Sequence, residues 1–174
     1  MTVEQFLALP EEETFHKELI GGEIVEMGNA RAKHEIAKAN ANQILCEFVL
    51  QAPEYVVLPE SFYGLSAVDG CIPDVSLVRR EDLDRVDQTR QFHMAPWIAV
   101  EVVSSETAAR LQAKVEAFLK NGTKAVWVIY ADEKVLLVHH PDGQTRRLRI
   151  GDALEDPGIL PGFSAPVSRF FRSL

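Results

Sequence analysis

The chain has 174 residues, 47% apolar and 25% charged, with ten glycines and nine prolines; this is about one domain's length, able to bury a core without disulfides or structural metal, and it excludes a disordered or fibrous chain. The formal net charge of −8 argues against a high-affinity, general nucleic-acid binder, because lysine and arginine supply most of the affinity for phosphates. No apolar run approaches the roughly 20 residues of a membrane helix, and no basic segment precedes an apolar one at Met1 to Pro10, so a soluble, cytoplasmic protein is expected.

The apolar period changes between 3.6 and 2 several times along the chain, predicting a mixed α/β fold with a central sheet flanked by helices, in one domain over residues 1–174. Thr2 to Leu9 reads as a short helix capped by Thr2, with Glu4 and Gln5 in its first turn and Pro10 beyond its end. Glu18 to Ile20 and Glu23 to Met27 are apolar runs around Gly21-Gly22, a dipeptide suited to the positive φ angles of a tight hairpin. From Ala32 to Leu50, Ile36, Ala37, Ala41, Ile44, Leu45 and Phe48 share one helical face, and Pro53 ends the helix. Strands follow at Tyr55 to Leu58, Phe62 to Leu65 and Ile72 to Val78, with Pro73 confined to the start of the last.

A polar stretch from Arg79 to Phe92 reads as a loop with a helical turn at Glu81 to Arg85. Trp97 to Val103 is a nearly continuous β-branched run, as in the middle of a sheet covered on both faces. Glu106 to Asn121 is helical, with Leu111, Val115, Phe118 and Leu119 on one face and Gly122 as its stop. Ala125 to Tyr130, Lys134 to His139 and Thr145 to Ile150 form a meander, with Asp142-Gly143 at the second turn. After Gly151 the chain is rich in proline and glycine until Phe163, then closes with a short amphipathic piece ending at Phe171. Cys46 and Cys71 form no zinc-type cluster with the five histidines and read as reduced thiols packed as small apolar residues. The basic clusters Arg79, Arg80, Arg85, Arg90 and Arg146, Arg147, Arg149 read as solvated surface.

Chemistry is signalled by polar residues where the pattern calls for apolar ones. Glu101 interrupts a central strand between Val100 and Val102, and burying a carboxylate there costs several kcal/mol unless it is paired or binds a metal. In the strand ending at Val78, the period of 2 puts Asp74 and Ser76 on the face opposite Val75 and Leu77. If the two strands are neighbours, about 4.8 Å apart, both carboxylates reach one small cation. Two carboxylates with positions left for water suit Mg²⁺ better than zinc. Lys114 flanks the stripe of Leu111, Val115 and Phe118, so its stem can pack inward while its ammonium reaches a polar centre. Each has a plainer alternative: an internal salt bridge for Glu101, a turn aspartate for Asp74, snorkelling to solvent for Lys114. Glu18 could supply a third carboxylate or be a surface glutamate on an edge strand. His34, near the apolar face of its helix, could contact phosphate or be a hydrogen-bonded core histidine.

Pro73-Asp74, a glutamate in an apolar strand and a lysine-bearing helix resemble the PD-(D/E)xK nuclease superfamily. The stretches Glu18-Leu19-Ile20-x-Gly22-Glu23-Ile24-Val25, His34 at a helix start, Pro73-Asp74, Glu101-Val102-Val103-Ser104, Lys114 with Phe118 and Gly122, Val126-Trp127-Val128-Ile129 and Leu160-Pro161-Gly162-Phe163 are similar to the Uma-two family of restriction endonucleases, over nearly the whole chain. This resemblance implies a restriction-endonuclease-like fold and metal-dependent hydrolysis of DNA phosphodiester bonds. Asp74, Glu101 and the Val102 carbonyl would hold Mg²⁺ or Mn²⁺, and Lys114 would position the attacking water. The sequence departs from the pattern at Val103, where the superfamily has its lysine, at Arg110, where an acidic residue is expected, and at Ser104-Ser105 in place of Ser-Pro. DNA is the expected substrate, and a homodimer is compatible because paired cuts need two sites. The alternative is a catalytically degenerate nuclease-fold module that binds nucleic acid or protein.

Overall fold

A computed structural model describes residues 1–28 and 30–174. Helix α1 (Val3–Leu7) begins in a reciprocal cap: the Gln5 N–H donates to Thr2 Oγ1 and the Thr2 N–H donates to Gln5 Oε1. A one-turn helix α2 (Glu11–Thr14) follows. Strands β1 (Lys17–Ile20) and β2 (Glu23–Glu26) form the expected hairpin, with φ of +59° at Gly21 and +81° at Gly22. The long helix α3 (Ala32–Val49) buries Ala37, Ala41, Ile44 and Leu45.

The next elements are β3 (Tyr55–Pro59), β4 (Tyr63–Gly64), β5 (Gly70–Cys71), β6 (Val75–Arg79), α4 (Arg80–Leu83), β7 (Ile98–Val102) and α5 (Ala108–Lys120). Strands β8 (Ala125–Tyr130), β9 (Val135–His139), β10 (Thr145–Arg149), β11 (Ala153–Glu155) and β12 (Ser164–Pro166) come last, before a 3₁₀ helix at Val167–Phe171.

The main sheet has the order β10-β9-β8-β7-β6-β3. Only β7 and β8 pair in parallel, because α5 crosses between them; the other neighbours are antiparallel. All five residues of β7 are buried, as a strand covered on both faces requires. On one face Val75, Leu77, Val100, Trp127 and Ile129 pack with α3 and the C-terminal segment. On the other, Ala99, Val126 and Val128 meet Leu111, Val115 and Phe118 of α5. A smaller sheet, β2-β1-β5-β4, sits over a satellite cluster of Val3, Phe6 and Leu19. No helix among the described residues is long and apolar enough to cross a membrane.

Several sequence expectations need correction. The strand expected at Ile72 to Val78 begins at Val75, leaving Pro73 and Asp74 outside the ladder. Proline has no N–H to give, and the Asp74 side chain takes up a neighbouring strand's N–H instead. The strand expected at Phe62 to Leu65 shortens to Tyr63–Gly64, and the tail after Gly151 contains the paired β11 and β12. Cys71 is buried but Cys46 is exposed, because it falls beyond the buried seam of α3. Ile36 and Phe48, assigned to that seam, are only half-buried.

Two measurements follow from this packing. Trp127 is fully buried against Phe163 and Phe170, yet its indole N–H has no partner among the described residues. Trp127→Ala should cost about 3–5 kcal/mol in urea unfolding, and Trp127→Phe distinctly less, since it removes an unsatisfied donor along with volume. A thiol reagent should titrate one cysteine in the native protein, Cys46, and both after denaturation.

Candidate functional site

The pairing of β6 with β7 builds the site. Val75 faces Val100, Ser76 faces Ala99 and Leu77 faces Ile98. One step further along this register, Asp74 stands opposite Glu101. Directly opposed residues of an antiparallel pair project to the same face, here the face covered by α5. The Val102 N–H donates to Asp74 Oδ2 at 2.7 Å, so the carboxylate fixes the end of β7 where the β6 ladder has stopped. In a strand a residue's N–H and C=O point to the same neighbour, so the Val102 carbonyl also turns toward Asp74.

Lys114 reaches this floor from α5. Its placement follows from the helix pattern, with Leu111, Val115 and Phe118 buried on the sheet and the lysine stem beside them. The ammonium lies 2.9 Å from Glu101 Oε2 and 2.9 Å from Glu18 Oε1, and donates to the Ile72 carbonyl at 2.9 Å. These contacts engage all the donors an ammonium has. The snorkelling alternative is thereby overturned, since Lys114 is buried. Glu18 is not a surface residue either, because β1 lies between β2 and β5 and is no edge. Its Oε1 also accepts the Ile72 N–H at 2.6 Å. Glu101 is left half-satisfied: Oε2 meets Lys114, while Oε1 is buried with no hydrogen-bond partner among the described residues.

His34, at the start of α3, closes the other side. Its Nε2 is 3.2 Å from Asp74 Oδ1 and its Nδ1 is 3.2 Å from Glu35 Oε1. Burial pulls the imidazole pKa down, but Asp74 and Glu35 outweigh it and the net direction is up. Burial drives the Glu101 carboxyl well above its usual range; Lys114 opposes this, while Asp74 and Glu18 add to it. Burial would lower Lys114, yet Glu101 and Glu18 hold it well above the ordinary lysine value. The two directions differ in cause: burial raises Glu101, and the neighbouring carboxylates raise Lys114 against its own burial.

Asp74, Glu101, Val102, Lys114, Glu18 and His34 all line one cleft of about 170 Å³. Sequence reasoning missed its acidic rim, which includes Glu35, Glu60 and Glu106. The i,i+3 spacing of Glu35 and Lys38 was a signal, since Lys38 bridges Glu35 and Glu60 at 2.8 Å each. Arg110 is exposed at the rim, one turn before Lys114. Among the described residues no three His, Cys, Asp or Glu side chains form a ready-made metal cluster; a cation here would rest on two carboxylates, a carbonyl and water.

Removing Lys114 leaves Glu18 and Glu101 buried without their counter-charge. Lys114→Met should destabilise the fold by about 3–5 kcal/mol in urea unfolding near neutral pH. The sign with pH follows from the raised pKa of Glu101: a carboxyl that binds its proton more tightly when folded favours folding at low pH and loses that contribution as pH rises. The deficit should therefore shrink on acidification toward the carboxylate range.

No curated protein matches the chain. A crystal structure described as "a putative nuclease belonging to DUF820", from Anabaena variabilis, superposes with a TM-score of 0.84 over 98% of this chain and 97% of that one, at 20% sequence identity. At that identity the likeness establishes the fold, which is the restriction-endonuclease-like mixed sheet flanked by helices expected from the sequence. Residues 3–168 match Uma2, described as "Putative restriction endonuclease". The chain belongs to the Uma2 family.

Proposed function

We propose that residues 1–174 act as one domain, a divalent-cation-dependent endonuclease that hydrolyses DNA phosphodiester bonds. Its family membership and its fold support nuclease chemistry in general. The observation that carries the reading further is Glu101 Oε1, buried at 3% residue exposure beside Asp74 and without a hydrogen-bond partner among the described residues. A buried carboxylate oxygen without a donor costs free energy that a cation would offset.

The donor set fits Mg²⁺ or Mn²⁺: hard oxygen ligands from Asp74, Glu101 and the Val102 carbonyl, with space in the cleft for water. Bound there, the cation would polarise the scissile phosphate and lower the pKa of a coordinated water. The remaining roles belong to the chain itself. Lys114 holds Glu101 in place and keeps a positive charge at the floor beside that carboxylate. Glu18 fixes Lys114 against the Ile72 backbone. His34 orients Asp74, and Asp74 in turn holds the end of β7.

Cleavage of labelled DNA in Mg²⁺ or Mn²⁺ should be abolished by EDTA, by Asp74→Ala and by Glu101→Ala. Calorimetry should show Mn²⁺ binding to the wild type and its loss in Asp74→Ala. If Mn²⁺ does not bind and no single-stranded, double-stranded or branched DNA is cut, the site is degenerate and the chain is a binding module. Cleavage that persists in both variants would place the chemistry elsewhere.

A further inference from the structure

The carboxylates and lysine lie at the bottom of a confined cleft. Asp74 is 9% exposed, Glu18 and Lys114 4%, and Glu101 3%. The volume above them is about 170 Å³. One wall is the β1–β2 hairpin, through Ile20, Val25 and Met27, and the start of α3 contributes another through His34 and Glu35. Toward the end of β7 the space narrows further. Gly28 comes so close to the following loop that a Cβ there would lie 2.5 Å from Ser105 Oγ and 3.3 Å from Ser104 Oγ.

This shape bears on which form of DNA can reach the floor. A duplex is stiff over about 150 base pairs, so its phosphates lie on the outside of a rod that must be straddled, not threaded. The charge pattern points the same way. Duplex DNA presents one negative charge per roughly 1.7 Å of axis and is bound by arrays of lysine and arginine. Here the rim carries Glu26, Glu35, Glu60 and Glu106. Lys38 is engaged by Glu35 and Glu60, and Lys114 by Glu18 and Glu101, so Arg110 is the exposed cation at the rim that opposes these carboxylates. A single strand has about half the axial charge density, and its unpaired bases can be splayed apart.

We propose that this cleft admits a single, flexible DNA strand to Asp74 and Glu101 and excludes intact duplex. The proposal rests on the nuclease reading above and narrows its substrate class. The test uses the 174-residue chain with Mn²⁺, a labelled single strand, the same strand in a blunt duplex, and that strand in a duplex with an unpaired overhang; Glu101→Ala is the control for contaminating nuclease. The single strand and the overhang should be cut roughly tenfold or more faster than paired DNA, a discrimination within the reach of steric and contact effects, with products mapping to the unpaired segment. Cleavage inside the blunt duplex at an equal or greater rate, lost in Glu101→Ala, would overturn the substrate assignment and leave the nuclease reading intact. Absence of Glu101-dependent cleavage on all three substrates would overturn both.

Discussion

The architecture depends on how one buried ammonium is compensated. Lys114 descends from α5 onto the main sheet, meets Glu101 of β7 and Glu18 of β1, and caps the Ile72 carbonyl in the link between β5 and β6. One charge thus joins the central strand, the crossover helix and the smaller sheet. Burying such a group is costly, and its stabilisation comes from charge-assisted hydrogen bonds with little exposure to water. The same contacts leave negative charge in excess at the floor. Glu101 keeps one oxygen without a donor among the described residues, and Asp74 divides its oxygens between His34 and the Val102 N–H. The site is therefore well fixed in geometry yet electrostatically incomplete, a combination that suits a cation-binding centre.

Much of this was legible in the sequence, for identifiable reasons. Glu101 stood out because a continuous β-branched run leaves no surface on which to put a carboxylate. Lys114 was placed by the helical wheel of α5, whose apolar stripe is narrow and regular. The Gly21-Gly22 hairpin and the Thr2 cap were readable because turn and cap chemistry is local. Asp74 was expected inside a strand, sharing a face with Glu101 if their strands were neighbours; β6 and β7 do pair, and Asp74 lies in a bend one residue before the ladder.

What the sequence did not reveal depends on tertiary pairing. Glu18 becomes an interior residue only because Gly70–Cys71 pairs alongside β1, and two residues carry no periodic signal. The three-residue strands β11 and β12 were hidden for the same reason. The acidic rim gathers Glu35 from α3, Glu60 from the loop after β3 and Glu106 from the loop before α5, residues that are remote in sequence. That no described residue donates to Glu101 Oε1 is a property of distances, and no pattern of residue types encodes it.

The departures from the superfamily pattern find a physical account in the same geometry. Val103 cannot supply the lysine that usually follows the glutamate, and the ammonium arrives from α5 instead, at 2.9 Å from Glu101. Arg110 points its charge to the rim and leaves the floor acidic. The most direct test of the central claim is the anomalous difference density of a crystal soaked in Mn²⁺. A peak bound by Asp74, Glu101 Oε1 and the Val102 carbonyl is expected, with Lys114 still seated on Glu18. A soaked crystal showing no peak there, and Glu101 Oε1 satisfied by a protein donor instead, would contradict it.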